Sequence, residues 1–301
     1  MPSSTEPAQG AGGAGAGHGA VPRTLGALVD EAARAWSGRI AVEHRELRLT
    51  FGELRRRVRA VAGSLAGPLH GRTAVLLFDN TPECVVAFLA LARIGVRVVP
   101  AEPGSTAAQL HALDRDLGSV TVLGGPERLT ALRAAGPEVQ GGLALVDIVE
   151  RFAASDTAAE EPGDTAASTG DEPFLYQYSS GSTGAPKAAV HSQRNLVNGG
   201  RIYRESFGYG PEDTVLTAVP LLHSFGLVAG LVTTLLTGAR LVVLGRFAPA
   251  TLLRELERTS ATVVVSTPLA WRSGNRGPGA TRPTAAGTSP RRPPGRRPAA
   301  G

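Results

Sequence analysis

Ten residues from Tyr178 to Lys187, Tyr-Ser-Ser-Gly-Ser-Thr-Gly-Ala-Pro-Lys, bring hydroxyls, two glycines and a lysine into one run. Such a run suits an anion. Glycine lets a backbone turn through positive φ and approach a ligand closely. Successive N–H groups in such a turn point into one concavity, which favours negative charge. Ser179, Ser180, Ser182 and Thr183 add hydroxyl donors, and Lys187 adds a compact positive charge on a flexible stem. The chemistry indicated is a cradle for a polyphosphate. The same composition also fits a Ser/Gly turn in a hairpin. The dense hydroxyls, with Lys187 following Ala185-Pro186, favour the cradle. A nucleoside-triphosphatase P-loop is excluded, because it needs four residues between its glycines and a Gly-Lys-Ser/Thr ending. Here two residues separate Gly181 from Gly184, and Lys187 follows Pro186.

A second candidate is His223, in the segment Pro220-Leu-Leu-His-Ser-Phe-Gly226. Taken alone, a histidine here reads as partly buried and bonded to backbone. His191 reads as a residue at the start of a helix. No group of His, Cys, Asp and Glu has metal-ligand spacing, so no structural metal is expected. No Gly-x-Ser-x-Gly elbow is present, which argues against a serine hydrolase.

The elements that must carry these residues follow from periodicity. Phe174-Leu175-Tyr176 leads into the run and Ala188-Ala189-Val190 leaves it, a strand–loop–strand reading. Upstream, the spacing predicts a helix over 25–36 and a short strand pair over 40–42 and 46–49. Thr50 with Glu53 is a capping-box signature. The helix behind it presents Leu54, Val58, Val61, Ala62 and Leu65 on one face. Arg55, Arg56, Arg57 and Arg59 are expected on a solvated face. Apolar strands at 73–78, 96–99, 120–123 and 143–146 then alternate with helices at 82–94, 105–117 and 126–135, the pattern of parallel β-α-β units. The pattern resumes after residue 174. It predicts a helix over 193–207 capped by Ser192, an apolar helix over 224–237 and a helix over 249–258, with strands at 213–219, 239–244 and 262–266. The division expected is a first α/β subdomain over 21–150, a flexible acidic loop over 151–173 and a partial second α/β subdomain over 174–271. Disordered tails are expected at 1–20, rich in Gly and Ala, and at 272–301.

Charge is unevenly spread. The formal net charge is +5, but residues 272–301 hold seven arginines and no acid, which leaves the rest at −2. The body is not basic, and no nucleic-acid partner is expected. Cys84 is the only cysteine, so no internal disulfide can form, in keeping with a cytoplasmic location. It sits in an apolar helical run and reads as a buried, inert thiol. No run of 18 apolar residues or signal peptide is seen, so no membrane span is expected.

Tyr178 to Lys187 resembles the phosphate-loop signature of the adenylate-forming superfamily. That superfamily comprises acyl- and aryl-CoA synthetases, adenylation domains of nonribosomal peptide synthetases, and luciferases. Other segments match in order. Leu49-Thr-Phe-Gly-Glu-Leu54 resembles its early Leu-Thr-Tyr-x-Glu-Leu. Leu91 to Pro100 resembles its Leu-Lys-Ala-Gly-x-x-x-Val-Pro, and Pro220 to Gly226 its Pro-x-x-His-x-x-Gly. The resemblance covers roughly 25–271, with Ala188 standing where a glycine is usual. It implies an α/β fold of two doubly wound parallel-sheet subdomains, the second incomplete. It also implies AMP-forming activation of a carboxylic acid by ATP, with Mg²⁺ bridging phosphates and coenzyme A or a carrier-protein phosphopantetheine as thiol acceptor. Ser179, Ser180, Gly181, Ser182, Thr183 and Gly184 would cradle the β- and γ-phosphates, with Thr183 toward the metal. Lys187 would neutralise charge, and His223 would stand near the acyl carboxylate. The superfamily's adenine-binding Tyr-Gly-x-Thr-Glu, ribose-binding Asp, hinge and C-terminal lysine have no counterpart in this sequence. The expectation is a truncated or frame-shifted member, weakly active or inactive alone. A non-catalytic chain that binds nucleotide or a partner chain is one alternative reading. An amino-acid-activating adenylation domain is another, less favoured by Pro-x-x-His-x-x-Gly.

Overall fold

A computed structural model describes residues 22–134, 143–156, 168–178, 187–245 and 248–267. It is a mixed α/β structure of two largely parallel sheets with helices between them. In chain order come α1 (Leu25–Trp36), β1 (Ile40–His44), β2 (Leu47–Thr50), α2 (Phe51–Ala66), β3 (Thr73–Leu77), α3 (Pro82–Arg93), β4 (Val98–Ala101), α4 (Ala107–Leu117), β5 (Val120–Gly124), α5 (Pro126–Ala134), β6 (Ala144–Asp147) and α6 (Ile148–Ala154). There follow β7 (Pro173–Tyr178), β8 (Ala188–Ser192), α7 (Gln193–Phe207), β9 (Thr214–Thr217), a π-helical segment (Gly226–Val232) continued by α8 (Thr233–Thr237), β10 (Arg240–Val243), α9 (Pro249–Thr259) and β11 (Val263–Val265).

The first sheet runs β6-β5-β3-β4-β7-β8 and the second β11-β9-β10-β1-β2. Only β1–β2 and β7–β8 pair antiparallel among these strands. The sheets therefore do not follow the linear division read from sequence. β1 and β2, from the first expected subdomain, complete the second sheet, while β7 and β8, from the other, complete the first. An alternating pattern identifies strands, but it does not say beside which distant strand each will lie. Residues 1–21 and 268–301, where the tails are expected, lie outside the described residues, as do 157–167 of the acidic stretch.

Helix α3 explains the layering. Its sequence is apolar all round, and every residue from Pro82 to Ala92 except Glu83 is buried. A helix with no polar face must be covered on all sides. It shares one core with α1, α2, α7, the π-helical segment and strands of both sheets. Cys84 lies inside α3, where burial pushes its thiol up to about 12, so it is a packing residue. The end of α3 shows how one boundary is set. Gly95, at φ 69°, and Val96 donate back to the Ala92 and Leu91 carbonyls. This helix-closing motif uses Val96, so β4 starts at Val98 rather than at residue 96.

The capping box at Thr50 and Glu53 is formed, and the Thr50 amide holds the Glu53 carboxyl below its ordinary range. The arginine face of α2 departs from expectation. Arg57 is buried, donating to the Phe152 carbonyl and Ser155 Oγ and pairing with Asp156. Its guanidinium lies 4.2 Å from the Phe152 ring centroid. Arg59 pairs with Asp30. Arg57 thus docks α6, a short helix begun by Asp147 within the stretch leading into the acidic segment, onto α2.

Candidate functional site

Parallel pairing aligns the carboxyl ends of β3, β4 and β7 along one edge of the first sheet. The carboxyl ends of β9, β10 and β11 align along one edge of the second. Ligands of open α/β sheets bind outside such edges. Two side chains tie the edges together. Asn80, just beyond β3, donates from Nδ2 to the Val219 and Leu244 carbonyls, which follow β9 and β10. Gln177, next to last in β7, donates from Nε2 to the Leu222 carbonyl at 2.8 Å. The sequence reading named neither residue. Gln177 had one signal, an amide in an otherwise apolar strand directly before Tyr178.

His223 follows Leu222 in the turn between β9 and the π-helical segment. Its amide donates to the Pro220 carbonyl at 3.2 Å, and its carbonyl accepts from Leu227 at 2.9 Å. It is exposed, not partly buried as residue type alone suggests. Gly226 is required by contact. A Cβ there would lie 2.5 Å from the Pro220 carbonyl oxygen. Every residue of Gly226–Val232 is buried, and the Thr233 amide and hydroxyl both reach the Val228 carbonyl five residues back. Single π-helical turns occur mostly as local widenings of α-helices, often at functional sites.

The strand–loop–strand reading around residue 180 is realised as the β7–β8 hairpin, with Tyr178 opposite Ala188. Ala188 is an ordinary strand partner there. The Tyr178 hydroxyl donates to Asp116 at 2.7 Å. Partial burial and that carboxylate push it up to about 12, so it stays protonated and donating. Lys187 precedes β8 and is exposed. Ser179, Ser180, Gly181, Ser182, Thr183 and Gly184 lie outside the described residues. The structure thus brings the last residues of β7 against the His223 turn. Among the described residues no group of three or more His, Cys, Asp or Glu could hold a metal ion. No described helix is long and apolar enough to cross a membrane.

Comparison with known proteins assigns the chain. Residues 29–286 match the family model for AMP-binding enzyme, running past Trp271, where the resemblance read from sequence stops. The chain belongs to the AMP-binding enzyme family. It is 29% identical over 238 residues to 4-coumarate–CoA ligase 5 of Oryza sativa, covering 73% of this chain and 42% of that protein. It is 27% identical over 250 residues to bacitracin synthase 3 of Bacillus licheniformis, covering 82% of this chain and 4% of that protein. The chain spans about half or less of the length of these relatives. By contrast it matches 92% of "Protein Y" of Streptomyces griseus, at 28% identity over 289 residues and 89% of this chain. Among solved structures, the N-terminal domain of FACL13 from Mycobacterium tuberculosis superposes with a TM-score of 0.72 at 20% identity, covering 85% of this chain and 65% of that one. ATP-bound MatB from Rhodopseudomonas palustris gives 0.71 at 22%, covering 85% and 52%. The fold is that of the N-terminal domain of adenylate-forming enzymes.

Proposed function

We propose that this chain grips the triphosphate of ATP between Tyr178 and Lys187 for the AMP-forming activation of a carboxylic acid, as an acyl- or aryl-CoA synthetase-like ligase. A carboxylate is a poor acyl donor because oxide leaves badly. Transfer of AMP to its oxygen supplies a better leaving group and releases pyrophosphate. The charge-rich transition state calls for positioning and for positive groups around the phosphates. In this reading the Ser179–Gly184 hydroxyls and amides hold the β- and γ-phosphates and Lys187 neutralises them. The Thr183 hydroxyl would stand toward Mg²⁺, a hard cation that takes oxygen ligands and would offset phosphate charge. His223 faces the acid.

The observation that carries the reading is the Gln177–Leu222 hydrogen bond, which seats the strand leading into the signature against the exposed His223 turn. An exposed Lys187 and an exposed His223 fit an anionic nucleotide and a carboxylate. The thiol acceptor in this reading is coenzyme A or a carrier-protein phosphopantetheine.

ATP–pyrophosphate exchange with a panel of aryl, fatty and amino acids tests it. Exchange with an aryl or acyl acid, lost in Lys187→Ala, is the supporting result. Exchange with amino acids alone would move the chain to the amino-acid-activating class. Binding of ATP without exchange for any acid would favour a chain that holds nucleotide but does not activate acids.

A further inference from the structure

His223 is presented by the stretch 219–222, and that stretch is held largely from the opposite sheet. Asn80 uses both ends of its carboxamide. Its Nδ2 donates to the Val219 carbonyl at 3.2 Å and the Leu244 carbonyl at 3.1 Å, and its Oδ1 accepts from the Leu221 amide at 2.8 Å. Gln177 adds the bond to the Leu222 carbonyl at 2.8 Å. The groups immediately ahead of His223 are therefore set from the first sheet, although the stretch follows β9 of the second.

We propose that Asn80 and Gln177 are positioning residues, a two-amide clamp that fixes the His223 turn against the end of β7 and couples the two. Neither side chain meets reacting atoms in this role. A carboxamide suits the task because it both donates and accepts without carrying charge. A carboxylate in either place would accept but not donate, and would add negative charge beside a site read as anion-binding. The coupling to nucleotide rests on the function proposed above; the clamp itself does not.

Amide hydrogen exchange on the full chain tests both parts. Exchange in residues 219–225 is followed with residues 82–92 of α3 as internal reference. Gln177→Met removes one donor and keeps side-chain length. Asn80→Asp keeps the acceptor for Leu221 and removes both donations. Each variant should speed exchange in 219–225 several-fold, about the change expected from one lost hydrogen bond, and leave the α3 reference unchanged. Unchanged exchange in both variants overturns the clamp. With ATP and Mg²⁺ added, the wild type should gain protection in 219–225, and Gln177→Met should bind ATP without that gain. Undiminished protection in Gln177→Met overturns the coupling, because loss of a merely structural bond would not sever it. A wild type that fails to bind ATP refutes the proposed function, and the nucleotide-free comparison then decides the clamp on its own.

Discussion

Two regions of the second sheet are tied to their surroundings by different means. On β1, Glu43 is fully buried and receives Arg48 at 3.4 Å, Arg240 at 3.1 Å and Arg258 at 2.7 Å. Hydrogen bonds donated to Glu255 and Glu43 raise the Arg258 pKa further above its already high value. Beyond the carboxyl ends of β9 and β10, the ties are the neutral amides of Asn80 and Gln177. The contrast has a physical basis. A buried carboxylate is tolerated only with close countercharges, and the resulting network docks α9 and β10 onto β1. At the strand ends a fixed charge would impose a field on whatever binds. Uncharged amides hold the backbone there without adding a charge of their own.

The largest effect should fall at Glu43. Glu43→Gln should lower stability by about 3 kcal/mol, the scale for removing one partner from a buried pair. Urea unfolding measures it, and a change of only a few tenths would show that the network is not an anchor. Next in size is Asp30, which Arg93 approaches at 2.9 Å and Arg59 at 3.4 Å. Burial alone would raise its pKa, but the bonds from Arg93 and Arg59 outweigh it and hold the carboxyl below its ordinary 3.8. A depressed carboxylate stabilises the fold above its unfolded pKa and loses that contribution as pH falls through the folded value. Asp30→Asn should therefore cost about 1–2 kcal/mol at pH 7. The gap to wild type should narrow below about pH 4. Thermal unfolding at pH 3 and pH 7 reads it, and a gap that is constant with pH would contradict the ion-pair account. The clamp should count for less overall: Gln177→Met should cost at most about 1 kcal/mol globally, since it deletes one hydrogen bond. Smallest is Lys187→Ala, which as an exposed substitution should change stability by less than about 0.5 kcal/mol.

The same contrast marks what could be read from sequence. Helices α1 and α7 run over 25–36 and 193–207 as read, because Thr24 and Ser192 cap them locally and their apolar faces repeat at helical spacing. The Tyr178–Lys187 run was legible for a similar reason, since its meaning lies in consecutive residues. Sheet membership was not legible. Nothing within β1 indicates that Val42 will lie beside Leu241. Arg57 looks like its neighbours Arg55 and Arg56 on paper, and only the distant carbonyl of Phe152 makes it a buried anchor. Asn80 and Gln177 act through backbone carbonyls 139 and 45 residues away, which no local pattern encodes. The sequence predicts an apolar helix over 224–237 but nothing of its type. Its π-helical turn accompanies the close packing of Gly226 on Pro220 and of Gly230 on Thr217, contacts that exist only after folding.

In the function proposed, the Tyr178–Lys187 run holds the phosphates of ATP. Calorimetric titration of ATP with Mg²⁺ into the wild type and into Lys187→Ala of matched thermal stability tests it most directly. The wild type should bind, and affinity should be weaker by about ten- to a hundredfold in Lys187→Ala, the range for one charge-assisted contact. Equal affinity of the two proteins, or no binding to the wild type, would contradict it.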